Sequence, residues 1–351
     1  MRIAQVAPLT ESVPPRLYGG TERVVSFLTE ELVALGHDVT LFASGDSVTS
    51  AELAAITPRA LRLDPDVRDA MAPHFLMMEH VRRRADEFDV LHFHMDYWSF
   101  SLFARQRTPF VTTLHGRLDL PELWPIYRSF PDARLVSISD YQRRPMPFAN
   151  WAGTVLHGLP ADLLTPQDVK PSYLAFLGRI APEKRVDRAI EIAGRAGMKI
   201  RIAAKVDRVD QDYYDEQIKP LMAQPHVEYI GEIADHEKSA FLSGAHALLL
   251  PIDWPEPFGL VMIESMACGT PVIAFPAGSV PEVVEHGRTG FITPDVAAAA
   301  RAVEDLPSLS RVAVRRRFEE RFTARRMAED YIDLYARELA DRMPALAVAA
   351  E

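Results

Sequence analysis

The chain has 351 residues, of which 48% are hydrophobic and 25% are charged, and its formal net charge is −10. Domains usually have roughly 100–200 residues, so this length predicts two domains, and the ordinary composition excludes a disordered or fibrous protein. The acidic balance disfavours nucleic-acid binding, and the single cysteine, Cys268, excludes an intrachain disulfide.

The first half of the chain alternates short β-branched runs with an amphipathic stretch. Apolar residues recur at helical spacing between Thr21 and Leu35, and Gly36 ends that predicted helix. Strands are predicted at residues 3–7, 38–43, 90–94, 110–114 and 135–139. This alternation predicts a mostly parallel sheet that is covered on both faces.

A glycine pair lies between the first predicted strand and the first predicted helix. The backbone N–H groups of Gly19 and Gly20 can approach an anion at a helix N-terminus, since no side chain obstructs them. The alternative is a plain turn followed by Thr21 as the helix cap. The segment lacks the G-x-G-x-x-G pattern, which disfavours a dinucleotide oxidoreductase.

Periodicity breaks between Leu156 and Ser172, where one glycine and three prolines occur, and we expect the interdomain linker there. Beyond it the alternation restarts, with strands predicted at 173–177, 200–204, 227–230, 247–250 and 271–275 and helices at 186–196, 212–222 and 259–267. We therefore predict a first domain at residues 1–158, a second doubly wound domain at 172–325 and a helical tail at 326–351. Open α/β sheets bind ligands at the carboxyl ends of their strands, so two such domains would face one cleft.

Two cations follow the first strand of the second domain. Arg179 offers a planar donor fork and Lys184 a compact point charge, so the pair could hold two phosphoryl groups without a metal. A solvent-exposed loop is the alternative. The position at a strand's carboxyl end favours a diphosphate site.

Two carboxylates flank the start of the helix predicted from residue 259. Glu256 precedes that helix and Glu264 lies within it. The N–H groups of Phe258, Gly259 and Leu260 would be first-turn donors for a phosphate or a sugar hydroxyl. A carboxylate that accepts two hydroxyl protons would read a ribose, although isolated glutamates on a helix are commonly surface charge.

Three potential metal ligands, His92, His94 and Asp96, alternate along one predicted strand and its end. Polar lining of a cleft is the favoured interpretation, and no metal site is predicted. His115 follows the next strand, where a capping or core histidine is the ordinary interpretation.

Together these motifs resemble the retaining GT-B glycosyltransferases of glycosyltransferase family 4. The similarity covers nearly the whole chain, from Tyr18-Gly19-Gly20-Thr21-Glu22 to the segments 266–274, 278–284 and 287–291. It implies an α/β fold of GT-B architecture, in which two Rossmann-like doubly wound domains face a cleft and the C-terminal helices pack back on the first domain.

The resemblance also implies roles for the matching residues. Arg179 and Lys184 would bind the donor diphosphate, with help from the backbone of Gly19 and Gly20. Glu264 would hold the ribose hydroxyls.

The transferred sugar would bind to Glu256 and to the amides of Phe258, Gly259 and Leu260. His115 matches the family's histidine near the donor sugar and the reacting centre. On this basis Arg179, Lys184, Glu256 and His115 are the predicted catalytic residues.

Some segments depart from the family pattern or stay ambiguous. His157 stands where many relatives have asparagine, and Lys205 stands in a turn that commonly contains glycine, where it could add a phosphate contact. Residues 95–98 and 117–121 would shape the acceptor side or belong to the core.

The resemblance implies retaining, metal-independent transfer of a hexose from a nucleotide diphosphate sugar, with UDP-glucose as the expected donor, to an unidentified hydroxyl acceptor. The acceptor would be a saccharide, a lipid-linked molecule or a small molecule, and no cofactor is expected. Front-face attack is favoured, with the donor phosphate accepting the hydroxyl proton. The rivals are a nucleotide-sugar epimerase, a phosphorylase, a non-catalytic nucleotide-sugar binding protein and an NAD-dependent oxidoreductase.

We expect a cytoplasmic protein, either free or peripheral to the inner face of the membrane. The first residues form a strand-like run, and no stretch reaches the roughly 20 apolar residues of a membrane span. Arginines crowd the C-terminal part at positions 311, 315, 316, 317, 321, 325 and 326. They predict either a solvated, salt-bridged face or a surface for anionic lipid.

Overall fold

The computed structural model of the protein describes residues 1–16 and 19–347. These residues form two compact units, one of residues 1–158 with the helix that begins at Ala324, the other of residues 159–323. Each unit has one wholly parallel sheet, as predicted for an α/β fold with two doubly wound domains.

Among its described residues the first unit has seven strands: β1 Arg2–Val6, β2 Asp38–Ala43, β3 Glu52–Ala55, β4 Val90–Phe93, β5 Phe110–Thr113, β6 Arg134–Ser137 and β7 Trp151–Thr154. Their order across the sheet is β3-β2-β1-β4-β5-β6-β7. The five buried strands match the sequence predictions. The edge strands β3 and β7 were not predicted, because neither is fully buried and neither has a continuous apolar run.

The helices of the first unit are α1 Gly20–Ala34, α2 Met71–Arg84, α3 Phe100–Phe103, α4 Trp124–Ser129 and the C-terminal helix Ala324–Ala347. The predicted apolar face of α1 is confirmed, since Val24, Val25, Leu28 and Leu32 are at most 1% exposed.

The C-terminal helix packs on the sheet of this first unit. Tyr331 and Tyr335 are buried and hydrogen-bond to side chains of β5 and β4, Thr113 and His92. On the same helix Glu338 accepts hydrogen bonds from the guanidinium of Arg134 on β6. The predicted return of the C-terminal helix to the first domain is therefore confirmed.

The second unit has six strands: β8 Tyr173–Arg179, β9 Ile200–Lys205, β10 Val227–Gly231, β11 Ala245–Leu250, β12 Val272–Ala274 and β13 Gly290–Ile292. Their order is β10-β9-β8-β11-β12-β13. Strand β8 continues two residues beyond its predicted end, so Arg179 is its last residue rather than part of the following loop.

The helices of the second unit are α5 Val186–Arg195, α6 Gln211–Tyr213, α7 Lys219–Met222, α8 Asp235–Ser243, α9 Leu260–Ala267, α10 Val280–Val283, α11 Val296–Asp305 and α12 Arg311–Arg321. The single helix predicted over 212–222 is interrupted by a π-helical turn, Tyr214–Ile218, which joins α6 to α7. Pro220 explains the change, because its ring clashes with the carbonyl four residues earlier and a wider turn relieves that clash.

Each sheet reverses its strand order once, between β1 and β4 in the first unit and between β8 and β11 in the second. The crevice at the carboxyl ends of two such strands is the usual ligand site of an open α/β sheet. The segments that carry the predicted chemistry follow these strands: Gly19 after β1, Lys184 after β8 and Glu256 after β11.

Most of the C-terminal arginines bond within the protein. Arg311 and Arg315 donate to backbone carbonyls, including those of Ala245 and Ala267. Arg317 and Arg321 share the carboxylate of Glu285. These contacts account for the segment as a packed, salt-bridged surface. In the part of the chain that the structure describes, no helix has the length and apolar character needed to cross a bilayer.

Candidate active site

The glycine turn of the first unit brings the backbone to the N-terminus of α1. Helix α1 begins at Gly20, and a Cβ on Gly19 would lie 2.8 Å from the Cβ of Pro15. Gly19 is the N-cap, and among the described residues no side chain caps the helix, so the alternative in which Thr21 caps it is wrong. Tyr18 lies outside the described residues. The turn leaves first-turn N–H groups for an anion.

Glu22 lies in the first turn of the same helix and is buried. Burial raises the pKa of its carboxyl group, and the nearby carboxylate of Glu11 adds to the effect. Glu11 in turn pairs with Arg62 at 2.9 Å. The backbone N–H of Glu11 also donates to the carboxylate of Glu22, and this contact holds the loop after β1 against α1.

Arg179 ends β8 and points into a group of acidic side chains. Its guanidinium pairs with Glu183, with Asp207 at 3.4 Å and with Asp210 at 3.3 Å. Only 26% of the side chain is exposed. Gly178, immediately before it, has a φ of +149°, which a side chain would strain. Three carboxylates therefore fix this cation at the end of the central strand.

Lys184 forms a compact cluster with Trp254 and Glu256. Its ammonium donates a hydrogen bond to Oε2 of Glu256 and lies 4.5 Å from the centre of the Trp254 ring. The indole N–H of Trp254 donates to the same oxygen at 3.1 Å. The cluster spans the loops after β8 and β11, the neighbouring strands where the sheet reverses its order, and so brings together two of the predicted site residues.

A buried turn supports the Glu256 loop from behind. A Cβ on Gly278 would lie 2.3 Å from the backbone oxygen of Glu256, and Gly278 has a φ of +61°. The backbone N–H of Ser279 donates to the carbonyl of Glu256 at 2.9 Å, and the Ser279 hydroxyl donates to the carbonyl of Phe258 at 2.8 Å. Only glycine fits this close approach.

Helix α9 starts directly after this loop. Gly259 is its N-cap, with the left-handed φ of +79°, and Leu260 is its first residue. Among the described residues, none accepts a hydrogen bond from the N–H of Gly259 or of Leu260. Phe258 is 2% exposed and anchors the turn in the core. The arrangement presents first-turn amides beside Glu256.

Glu264 lies one turn into α9 and is only 6% exposed. Its carboxylate accepts a hydrogen bond from the ammonium of Lys238 on α8 at 2.7 Å, and Lys238 also pairs with Asp235 at 3.0 Å. A buried carboxylate needs such a partner, because desolvation otherwise disfavours its charged form. Lys238 thus gives the buried carboxylate of Glu264 a hydrogen-bonding partner of opposite charge.

His115 follows β5 in the first unit and is the outermost member of a row of histidines. Its Nε2 lies 2.9 Å from Nδ1 of His94, and its ring stacks on His157 with centroids 5.3 Å apart. Burial lowers the pKa of His115 to about 3, so the imidazole is neutral near pH 7. His157 therefore has a packing role where many relatives have asparagine.

The predicted alternation of His92 and His94 serves hydrogen bonding within the domain. His92 bonds to Thr113 and Tyr335, each at 2.7 Å, and His94 bonds to Gln5 at 2.8 Å. In residues 1–16 and 19–347, no group of three histidine, cysteine or carboxylate side chains is arranged to hold a metal ion.

Residues 95–98 and 117–121, which were expected either to shape the acceptor side or to belong to the core, pack mainly in the core. Tyr97 and Trp98 lie against the first unit's core, and Leu118 is 3% exposed. Lys205 ends β9 opposite Arg179 on β8 and pairs with Asp207 at 2.9 Å. It therefore adds a second positive charge near Arg179.

Sequence reasoning missed two residues that organise the site. Trp254 lies between two prolines and between two carboxylates in the sequence, and this setting could have drawn attention to it. Lys238 gave no signal, because helix α8 has a weak apolar face and was not predicted. The structure joins Lys184 to Glu256, while Glu264 has its own partner and Gly19, Gly20 and His115 belong to the first unit.

Two family models match the chain one after the other. The model described as "Glycosyltransferase Family 4" matches residues 18–153, and the model described as "Glycosyl transferases group 1" matches residues 165–324. A phosphatidyl-myo-inositol mannosyltransferase of Mycobacterium leprae is 26% identical, over 86% of this chain and 86% of that protein.

Solved structures share the fold over almost the whole chain. Sucrose-phosphate synthase of Thermosynechococcus elongatus aligns with a TM-score of 0.80 at 19% identity, over 97% of this chain and 99% of that one. HepE of Anabaena, solved in complex with UDP and glucose, aligns with a TM-score of 0.71 at 18% identity, over 95% of this chain and 99% of that one. At these identities the likeness shows the fold alone.

Proposed function

The chain belongs to the group 1 glycosyltransferases of glycosyltransferase family 4, and we propose that it transfers a hexose from UDP-glucose or a similar nucleotide diphosphate sugar to a hydroxyl acceptor, with retention of anomeric configuration and without a metal ion. The single observation that carries this proposal is the cluster of Lys184, Trp254 and Glu256 beside Arg179 and the start of α9.

The cluster offers the groups that a sugar diphosphate needs within one unit. Lys184 and Arg179 carry positive charge at the end of β8, and two first-turn amides of α9 to which no described residue bonds lie beside Glu256. In our proposal a diphosphate takes the place of Glu256 as the partner of Lys184. Glu256 then accepts hydrogen bonds from hydroxyls of the transferred sugar, and the ammonium stabilises charge on the leaving phosphate.

Glu264 supplies the ribose contact in this proposal. It is buried in an ion pair with Lys238, and a carboxylate can accept hydrogen bonds from both ribose hydroxyls. In transfer, the bond from the anomeric carbon to the phosphate oxygen breaks and a bond to the acceptor oxygen forms on the same face. The acceptor hydroxyl gives its proton to the departing diphosphate, and the family resemblance assigns His115 to the donor sugar.

The choice of UDP-glucose as the donor is supported only by similarity to other proteins. HepE was solved with UDP and glucose, whereas the relative from Mycobacterium leprae is named for mannosyl transfer. A thermal-shift panel of UDP-, GDP- and ADP-linked sugars tests the donor, since a ligand stabilises the native state in proportion to its occupancy. We expect the largest shift with UDP-glucose. Shifts confined to guanosine or adenosine nucleotides would move the proposal to another donor.

Turnover separates the proposal from its rivals. With donor and acceptor supplied, a transferase releases UDP and forms a new glycoside, whose anomeric configuration NMR reports. An epimerase would convert the donor without releasing UDP, and a binding protein would do neither.

Contact of the arginine-rich segment with anionic lipid is a separate hypothesis, which co-sedimentation with phosphatidylglycerol vesicles tests.

A further inference from the structure

We propose that His94, held by Gln5, is a positioning residue that fixes His115 as the neutral tautomer protonated on Nε2 and leaves Nδ1 of His115 to accept a hydrogen bond from a substrate hydroxyl. This inference rests on the proposed function, because it gives His115 a chemical task in the transfer reaction.

The geometry of the row sets the direction of each hydrogen bond. Oε1 of Gln5 lies 2.8 Å from Nε2 of His94, and an amide oxygen can only accept, so the proton of His94 is on Nε2. Nδ1 of neutral His94 is then bare and can only accept. It lies 2.9 Å from Nε2 of His115, which must therefore carry the proton of His115.

A second set of contacts agrees with this orientation of the Gln5 amide. Its Nε2 lies 3.2 Å from the hydroxyl of Tyr335 and 3.4 Å from Nδ1 of His92. The hydroxyl of Tyr335 lies 2.7 Å from the same nitrogen of His92, so it can donate there while accepting from Gln5. The other ring nitrogen of His92 then donates to Thr113 at 2.7 Å.

Burial keeps the row neutral and rigid. Gln5, His92 and Tyr335 are 0% exposed and His94 is 4% exposed. Burial lowers the pKa of His94 well below its ordinary value, and the neighbouring histidines lower it further. A charged imidazole would donate from both nitrogens and would undo the order of the row. The buried polar chain therefore selects one tautomer rather than a mixture.

The outer nitrogen of His115 is where the row ends. Among the described residues no side chain or backbone group hydrogen-bonds to Nδ1 of His115, and His115 is partly exposed while its neighbours in the row are buried. A bare ring nitrogen at a strand's carboxyl end suits a sugar hydroxyl, which donates a proton readily. His115 in this state acts as an acceptor and not as an acid.

The test pairs two substitutions at His94. In His94→Gln the side-chain oxygen and nitrogen flank one carbon, as the two ring nitrogens of histidine do, so Gln can accept from His115 and donate to Gln5. His94→Leu removes both functions at similar volume. The spectrum of protein labelled with ¹⁵N in its histidine rings reports the tautomer of His115, whose signals are assigned by their loss in His115→Gln.

We expect the unmodified protein and His94→Gln to show Nε2 of His115 protonated, and His94→Leu to show a mixture. With UDP-glucose as the probe, we expect kcat for UDP release to stay within about threefold in His94→Gln. In His94→Leu it should fall on the order of tenfold to a hundredfold, the loss typical when the outer partner of a metal-bound histidine is removed, while KM changes little.

Protonation of His115 on Nδ1 in the unmodified protein would overturn the proposal, as would equal kcat in the two variants. If His94→Leu fails to fold, the spectrum of the unmodified protein still decides the tautomer. A protein that binds no UDP-glucose and releases no UDP would refute the proposed function instead, and the spectrum would still test the order of the row independently.

Discussion

The ammonium of Lys184 donates a hydrogen bond to the carboxylate of Glu256, which lies 72 residues further along the chain. Strands β8 and β11 are neighbours in the sheet, and the loops that follow them bring the two residues together. Both side chains are mostly buried, at 21% and 12% exposed. In the proposed mechanism a phosphate displaces Glu256 from Lys184, and this exchange frees Glu256 for the sugar.

Trp254 should report this exchange by its fluorescence. The ammonium of Lys184 lies over its ring, and its indole N–H bonds to Glu256, so donor binding changes both contacts. We expect UDP-glucose to shift or quench the emission, and Trp254→Phe to abolish the change. Trp151, in the first unit, provides the matched control, because Trp151→Phe should keep the response. A response that survives Trp254→Phe would contradict the exchange.

Substitutions in the ion pair of Glu264 and Lys238 should affect the free energy of unfolding and the affinity for UDP in different ways. Lys238→Met leaves the buried carboxylate of Glu264 without its cation, which typically costs about 3–5 kcal/mol in the free energy of unfolding, whereas Glu264→Gln should cost less because Lys238 keeps its pair with Asp235. The double variant should regain much of that loss, since neither charge remains. It should still bind UDP weakly, because the ribose acceptor is gone. Urea unfolding and calorimetric titration measure the two effects, and normal UDP affinity in the double variant would exclude the ribose role.

The sequence predicted the fold well where burial is continuous. Apolar runs such as Val90–Phe93 and Phe110–Thr113 identify central strands, because their side chains pack on both faces. The edge strands β3 and β7 and helix α8 were not predicted from the sequence, because their residues face solvent on one side. Arg179 and Lys184 were predicted from their place after a strand, whereas the family resemblance implied the roles of Glu256, Glu264 and His115. The pairing of these residues was not predicted, because Lys184 and Glu256 meet only through the crossover between neighbouring strands.

The buried histidines should make stability depend on pH. Burial lowers the pKa of His92, His94 and His157 well below 6.5 and that of His115 to about 3, so unfolding takes up protons. Because the folded-state pKa values lie below the unfolded ones, the contribution is complete above about pH 6.5 and is lost as pH falls toward the folded-state values.

Each such proton contributes about 1.4 kcal/mol per pH unit. Between pH 6 and pH 5, His94→Gln should reduce the slope of unfolding free energy against pH by about that amount. His80 is exposed, so His80→Gln serves as the control and should leave the slope unchanged. Equal slopes in all three proteins would show that His94 is charged in the folded state.

Removal of divalent cations should leave activity unchanged. In the proposed mechanism Arg179 and Lys184, at the end of β8 and in the turn that follows it, stabilise the leaving diphosphate in place of a metal. The rate of UDP release is compared before and after dialysis against EDTA, with added Mg²⁺ and Mn²⁺ as the reference. Loss of activity that a divalent ion restores would refute the metal-free mechanism.

Calorimetric titration of UDP against Lys184→Ala tests the central claim most directly, with the best nucleoside diphosphate of the thermal-shift panel as a second ligand. Lys219→Ala is the matched control, since that lysine is 65% exposed and pairs with Asp215 on the neighbouring turn. Loss of a charged hydrogen bond should cost about 2 kcal/mol, roughly thirtyfold in affinity, in Lys184→Ala alone. Unchanged affinity in Lys184→Ala would contradict a diphosphate site at this lysine.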